Sequence, residues 1–291
     1  MLFRVVYALA PDSVFAMKVA LGVAELATLV LLASLIRALG VPLLQIAVYA
    51  WNPLVLVEIW GSGHLDALAL LSAVAAIRLA IAGRANLAAA LLALGALVKF
   101  YPAALLPLLF ASGASGPLVT FALVILGGYV PFALLGVGVL GSLPQYLTSE
   151  FFNPGLLRTL IDVPAVAVVA LGAWVLYAGL ARAARPLVDR TIVLIGGYIL
   201  LIPNLFPWYA LWIVPFLAVR PSVPSIAFTG TVALAYTFFL YEPWTIPAWA
   251  RAAEFIPLAL GVGWALRRHW SVNRTASRAC LISPPVRGGP Q

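Results

Sequence analysis

The sequence predicts an all-α protein, a polytopic transmembrane helical bundle of about 9–11 segments with two proline-broken helix pairs. Three observations predict it. The first is composition: of 291 residues, 64% are apolar and 9% are charged, and the mean hydropathy is +1.10. A soluble domain is about half apolar and about a quarter charged, so a soluble enzyme and a soluble nucleic-acid binder are excluded. The second is a succession of long apolar runs with little between them. The third is the placement of the basic residues, which make the net charge +8.

The runs follow in order. Residues 1–12 lack the long apolar core and cleavage site of a signal peptide, and the first convincing span begins after Pro11-Asp12. Clear spans cover roughly 13–36, 43–60, 65–82, 117–139, 163–181, 223–241 and 251–266. The stretches 85–111 and 191–219 are too long for one ordinary helix. The first is interrupted by Lys99-Phe100-Tyr101-Pro102, the second by Pro203-Asn204-Leu205-Phe206-Pro207. Proline frees backbone groups, which in lipid must be buried in protein or meet water. Residues 1–270 read as one membrane domain, and 271–291 as a short cytoplasmic tail.

Sidedness decides how the interrupted stretches count. If each is a pair of short helices turning at its break, 12 of the 17 basic residues share one face, from Arg37 through Arg182, Arg185 and Arg220 to Arg287. If each is a single span, they divide between faces. Only the first count obeys the positive-inside rule, and it gives about eleven segments. Eight of the nine acids then fall in external loops or external halves of helices. The external face also holds the loop 61–66, the turn 99–101, the loop 141–162 with Glu150 and Arg158, and residues 204–209 and 242–250.

Ionisable groups at membrane depth are costly and are functional candidates by default. Glu58, His64 and Asp66 lie within nine residues, flanked by Gly61 and Gly63, which permit a tight turn. Structural alternatives stand beside this. Asp66 could cap the following helix, Glu58 could be interfacial, and His64 could be a plain loop histidine. Lys99 is one of two lysines in the chain; it suits a phosphate as a point charge, or it snorkels to headgroups. Glu58, Tyr101, Asn204, Trp208, Tyr209 and Arg158 are, with Lys99, substrate-binding candidates on the same face, with an aromatic belt as the alternative for Trp208 and Tyr209. The lone Cys280 excludes an intrachain disulfide, and two histidines cannot make a zinc site without several carboxylates.

The stretches YAWNPLVLVEIWGSGHLDAL, LVKFYPAALLPLLF and PNLFPWYALWIVPFL resemble, in that order, three hallmark stretches of the GT-C superfamily of multi-span glycosyltransferases. The nearest likeness is to the prokaryotic branch of polyprenyl-phosphate-mannose-dependent mannosyltransferases, over about residues 1–220. The resemblance implies transfer of a hexose, mannose in this branch, from a polyprenyl phosphate to a glycan or glycolipid acceptor. The anomeric carbon would be inverted. It implies lipid partners, no nucleic acid and no cofactor or metal, with the active face outside a prokaryotic cell membrane. Family members place the base, a carboxylate, in an external loop after their first span. Here that span and loop would precede Met1, residues 3–12 would be the end of the loop, and the chain alone is expected to be inactive. Asp66, with His64, is the next candidate for the catalytic role. A transporter or flippase, and a non-catalytic relative, are the rival classes.

Overall fold

Both proline breaks reverse the chain. In the computed structural model, which describes residues 2–136, 138–139, 141, 143, 152–181, 185–240, 242, 244–261, 263–264 and 267, every named element is helical. Glu150, Arg182, Cys280, His269, Arg287 and the tail lie outside the described residues. The helices are α1 Leu2–Leu9, α2 Val14–Ala38, α3 Leu43–Ala50, α4 Pro53–Gly61, α5 Asp66–Ile81, α6 Ala85–Ala96 and α7 Tyr101–Phe110. They continue with α8 Gly116–Leu134, α9 Leu156–Leu160, α10 Pro164–Leu180, α11 Leu187–Leu201, α12 Pro207–Leu217, α13 Val223–Leu240 and α14, residues 248–261.

The reversals are visible in what lies beside what. Gly116, at the start of α8, packs so closely on Asn86, at the start of α6, that a Cβ would stand 2.7 Å from the amide oxygen. The chain between them has therefore gone out along α6 and back along α7. Likewise Arg220, just past α12, donates to Asp189 at the start of α11 at 3.1 Å. Arg78, near the end of α5, donates to Ser34 near the end of α2. These contacts gather described arginines at one end of the molecule and leave the breaks at Lys99 and Asn204 at the other.

Helices α2, Gly116–Leu134 and Val223–Leu240 are long and apolar enough to cross a membrane. The pair α3 and α4, bent by 51°, makes a fourth if it is one span. Residues 43–60 are thus not the straight span expected. Pro53 has no N–H to continue α3, so Asn52 caps a new helix by accepting from Leu54 N at 3.0 Å. Residues 3–12 also depart from the expected loop. Leu2–Leu9 is helical, because Leu2 and Val6 turn to one side and pack on the bundle.

Small residues let the centre close up. Ala67, Ala69, Ala73 and Ala76 of α5 and Ala88, Ala89 and Ala93 of α6 are wholly buried. Gly95 allows a close approach between α5, α6 and α7: a Cβ there would sit 2.8 Å from Ser72 Cβ and 3.1 Å from Pro102. Such small-residue contact is how helices pack where lipid gives no hydrophobic drive between them. Helix α8 turns Leu118, Val119, Leu123 and Leu126 outward, each at least half exposed.

Candidate functional site

The site is built on a helix end that widens. Residues Leu56–Gly61 form a π-turn, a form frequent at functional sites. The chain leaves it with Ser62 N donating to Val57 O at 2.8 Å and His64 N to Glu58 O at 3.0 Å. Gly63 sits at φ +76°, in the left-handed region that favours glycine. Lys18 of α2 braces this turn, its Nζ donating to Gly61 O at 2.5 Å. The result folds His64 back over Glu58.

Asp66 opens α5 but does not cap it; no side-chain capping bond forms at that end. Its carboxylate is fully buried and points across the bundle instead. Oδ1 accepts from Trp212 Nε1 at 2.9 Å, and Oδ2 lies 3.2 Å from Lys99 Nζ. His64 Nδ1 stands 3.9 Å from the same Oδ2, while its Nε2 is 3.2 Å from Glu58 Oε2. Glu58, also fully buried, accepts from Tyr236 at 2.6 Å through Oε1. The contacts of Glu58 Oε2 and Asp66 Oδ2 are ion-pair contacts at short range rather than aligned hydrogen bonds. Aromatic rings clamp the ionic row: Trp208 stacks on His64 at 4.4 Å, and Tyr101 on Trp212 at 4.0 Å.

Beside this row lies a cavity of about 660 Å³. Lys99, Tyr101, Tyr198, Asn204, Tyr209 and Trp212 line one part of it, and Val98, Val168, Leu171 and Ile202 give it an aliphatic part. That is an ordinary size for a small-molecule pocket, with few polar groups in an apolar wall. The ionic row, with His64, Asp66 and Trp208, is set back from this space. They are not among its lining residues, because Trp212 and Lys99 stand between Asp66 and the space.

Arg158 and Asn204 come together, the guanidinium donating to Asn204 Oδ1 at 2.5 Å and to Asp162 at 3.4 Å. The segment around them is tied down by a second polar knot that the sequence reading missed. Asn153 donates to Leu205 O at 2.7 Å and to Glu254 at 3.0 Å, and Arg251 donates to Asn153 and to Pro154 O. Trp212, Tyr236 and Lys18 were missed as well. Glu254 carried a readable signal, an acid inside an apolar helix, as did Glu25, whose carboxylate accepts from Tyr49 at 2.7 Å. Among the described residues, no group of three or more His, Cys, Asp or Glu side chains is arranged to hold a metal ion.

Fold and site together define, among the described residues, an all-helical protein with three helices long and apolar enough to cross a membrane and a buried ionic row beside a cavity. No family model matches the chain, and neither a curated protein nor a solved structure matches it.

Proposed function

We propose that this chain is a membrane hexosyltransferase of the GT-C type, or carries the greater part of one. All eleven longer segments would cross or enter the bilayer of a prokaryotic cell, with the Arg-rich loops inside and the site outside. One observation supports the reading above the others. Lys99 stands in the wall of an aromatic cavity with its charge balanced by buried Asp66, and His64 stands on the other side of the same carboxylate. The ammonium offers a point charge to a phosphate. Tyr198 and Tyr209, both partly exposed, offer aromatic surface to a sugar ring, and the aliphatic wall suits the first part of a polyprenyl chain.

In the proposed reaction the acceptor oxygen forms a bond to the anomeric carbon of the hexose. The bond from that carbon to the phosphate oxygen breaks, and its electron pair leaves on the polyprenyl phosphate, which Lys99 steadies. The acceptor comes in at the exposed edge of His64, which is a quarter exposed and lies outside the cavity that holds the donor, and its hydroxyl proton passes to that imidazole, whereas Asp66 is sealed off by its partners. A positioned base of this kind contributes about 10²–10⁴-fold.

The test is transfer of radiolabel from a polyprenyl-phosphate mannose to an acceptor in membranes that carry the chain. Lys99→Met and His64→Gln should each abolish most transfer while the protein still inserts. Retention of transfer in both variants, or transport of a labelled solute without any transfer, overturns the reading in favour of a different base or of a transporter.

A further inference from the structure

We infer that Glu58 is a positioning residue that fixes the imidazole of His64 with its proton on Nε2, so that Nδ1 is the nitrogen left to accept a proton. Glu58 was expected to bind substrate. Its surroundings give it a different task. It is fully buried, Oε1 is occupied by the Tyr236 hydroxyl at 2.6 Å, and Oε2 faces His64 Nε2 at 3.2 Å.

Three restraints hold the ring. The His64 amide donates to the Glu58 carbonyl at 3.0 Å, Trp208 stacks on one face at 4.4 Å, and the Glu58 carboxylate faces one edge. A neutral imidazole carries one proton, and its other nitrogen is the acceptor. With the proton on Nδ1, the partial negative charge of a bare Nε2 would stand 3.2 Å from the carboxylate of Glu58, which is fully buried. With the proton on Nε2 the same contact is attractive. At the opposite edge, Nδ1 is 3.9 Å from Asp66 Oδ2, beyond hydrogen-bond distance. Asp66 is already engaged by Trp212 and Lys99. Of the two acids flanking His64, Glu58 therefore sets the tautomer, as second partners do for histidines that bind metals.

The proposal rests on the proposed function only for the source of the proton that Nδ1 receives, an acceptor hydroxyl. When that proton arrives, the imidazolium lies between two carboxylates, which stabilise it until it passes to solvent.

The test reads the tautomer directly. The chain has two histidines, so ¹⁵N-histidine labelling of the full protein in lipid nanodiscs, with His269→Gln to remove the second signal, isolates His64. The expected spectrum has a protonated Nε2 and an unprotonated Nδ1. Glu58→Gln should mix or invert the two, and Tyr236→Phe, which leaves Oε2 in place, should not. In transfer assays Glu58→Gln should lower kcat about 10–100-fold with KM unchanged. A proton on Nδ1 in the unaltered protein, protons on both nitrogens at the assay pH, or a tautomer unmoved by Glu58→Gln would each overturn the inference. The unaltered protein decides the first two even if Glu58→Gln fails to fold. Absence of transfer alongside the expected spectrum would count against the proposed function and leave the tautomer assignment standing.

Discussion

Removing either end of the Lys99–Asp66 pair should destabilise the protein, but by unequal amounts. Asp66 is fully buried, while the Lys99 side chain is 28% exposed and lines the cavity. Breaking a buried ion pair from one side costs about 3–5 kcal/mol, because the other charge is left without a partner. In Lys99→Met the charge left behind is the buried one, supported by the Trp212 bond and by His64 at 3.9 Å, so the cost should be about 2–4 kcal/mol. In Asp66→Asn the amide oxygen can still accept from Trp212, and the lysine can turn toward water in the cavity. About 1–2 kcal/mol is expected there, after discounting for that exposure. The double variant should cost less than the sum of the two, by about 1–3 kcal/mol, because neither charge is left stranded. Thermal unfolding in a fixed detergent measures this, with roughly 2–4 °C in Tm per kcal/mol for a chain approaching this size. Asp66→Asn being the more damaging change, or strict additivity, would refute the assignment of Asp66 as the buried partner that depends on Lys99.

Other expectations are simpler. Gly63→Ala, at φ +76° and against the Lys18 side chain, should cost about 1 kcal/mol or more in unfolding measurements and displace His64. Asn52→Ala removes both the cap on α4 and the 2.9 Å bond to Thr229, so a loss of about 1–3 kcal/mol is expected. By contrast Arg220→Gln breaks a pair with both partners substantially exposed, and unfolding should shift by less than about 1 kcal/mol. For sidedness, single cysteines placed at Ser62 and Gly83 in a Cys280→Ser background should label from opposite sides of the membrane with an impermeant maleimide. Labelling from one side would refute the eleven-segment reading.

What could be read in the sequence was what one residue or one break announces by itself. The prolines at 102, 203 and 207 marked the reversals, and the short spacing of Glu58, His64 and Asp66 marked the ionic row. Local chemistry also carried the turn, since Gly61 and Gly63 are the residues such a turn needs. The rest depended on partners far along the chain. Trp212 meets Asp66 across 146 residues, and Tyr236 meets Glu58 across 178. Hydropathy counts both aromatics as part of an apolar run, so nothing local separated them from belt residues. Asn153 and Arg251 were hidden because their partners lie about a hundred or fewer residues away in other segments, whereas Glu254, an acid inside an apolar helix, and Asn52-Pro53, a cap followed by proline at the first position of a helix, did carry local signals.

The span between Glu58 and Tyr236 also sets a timetable for biosynthesis. At about 5–20 residues per second, a ribosome needs roughly 10–40 s to make the 178 residues that separate them. Throughout that interval the nascent α4 and α5 hold two acids that have His64 between them but lack their distant partners. Lys99 arrives early and can quench Asp66, but Glu58 waits for the thirteenth helix. A chain arrested before residue 236 therefore keeps His64 beside Glu58 but lacks the Tyr236 hydroxyl that occupies its other oxygen.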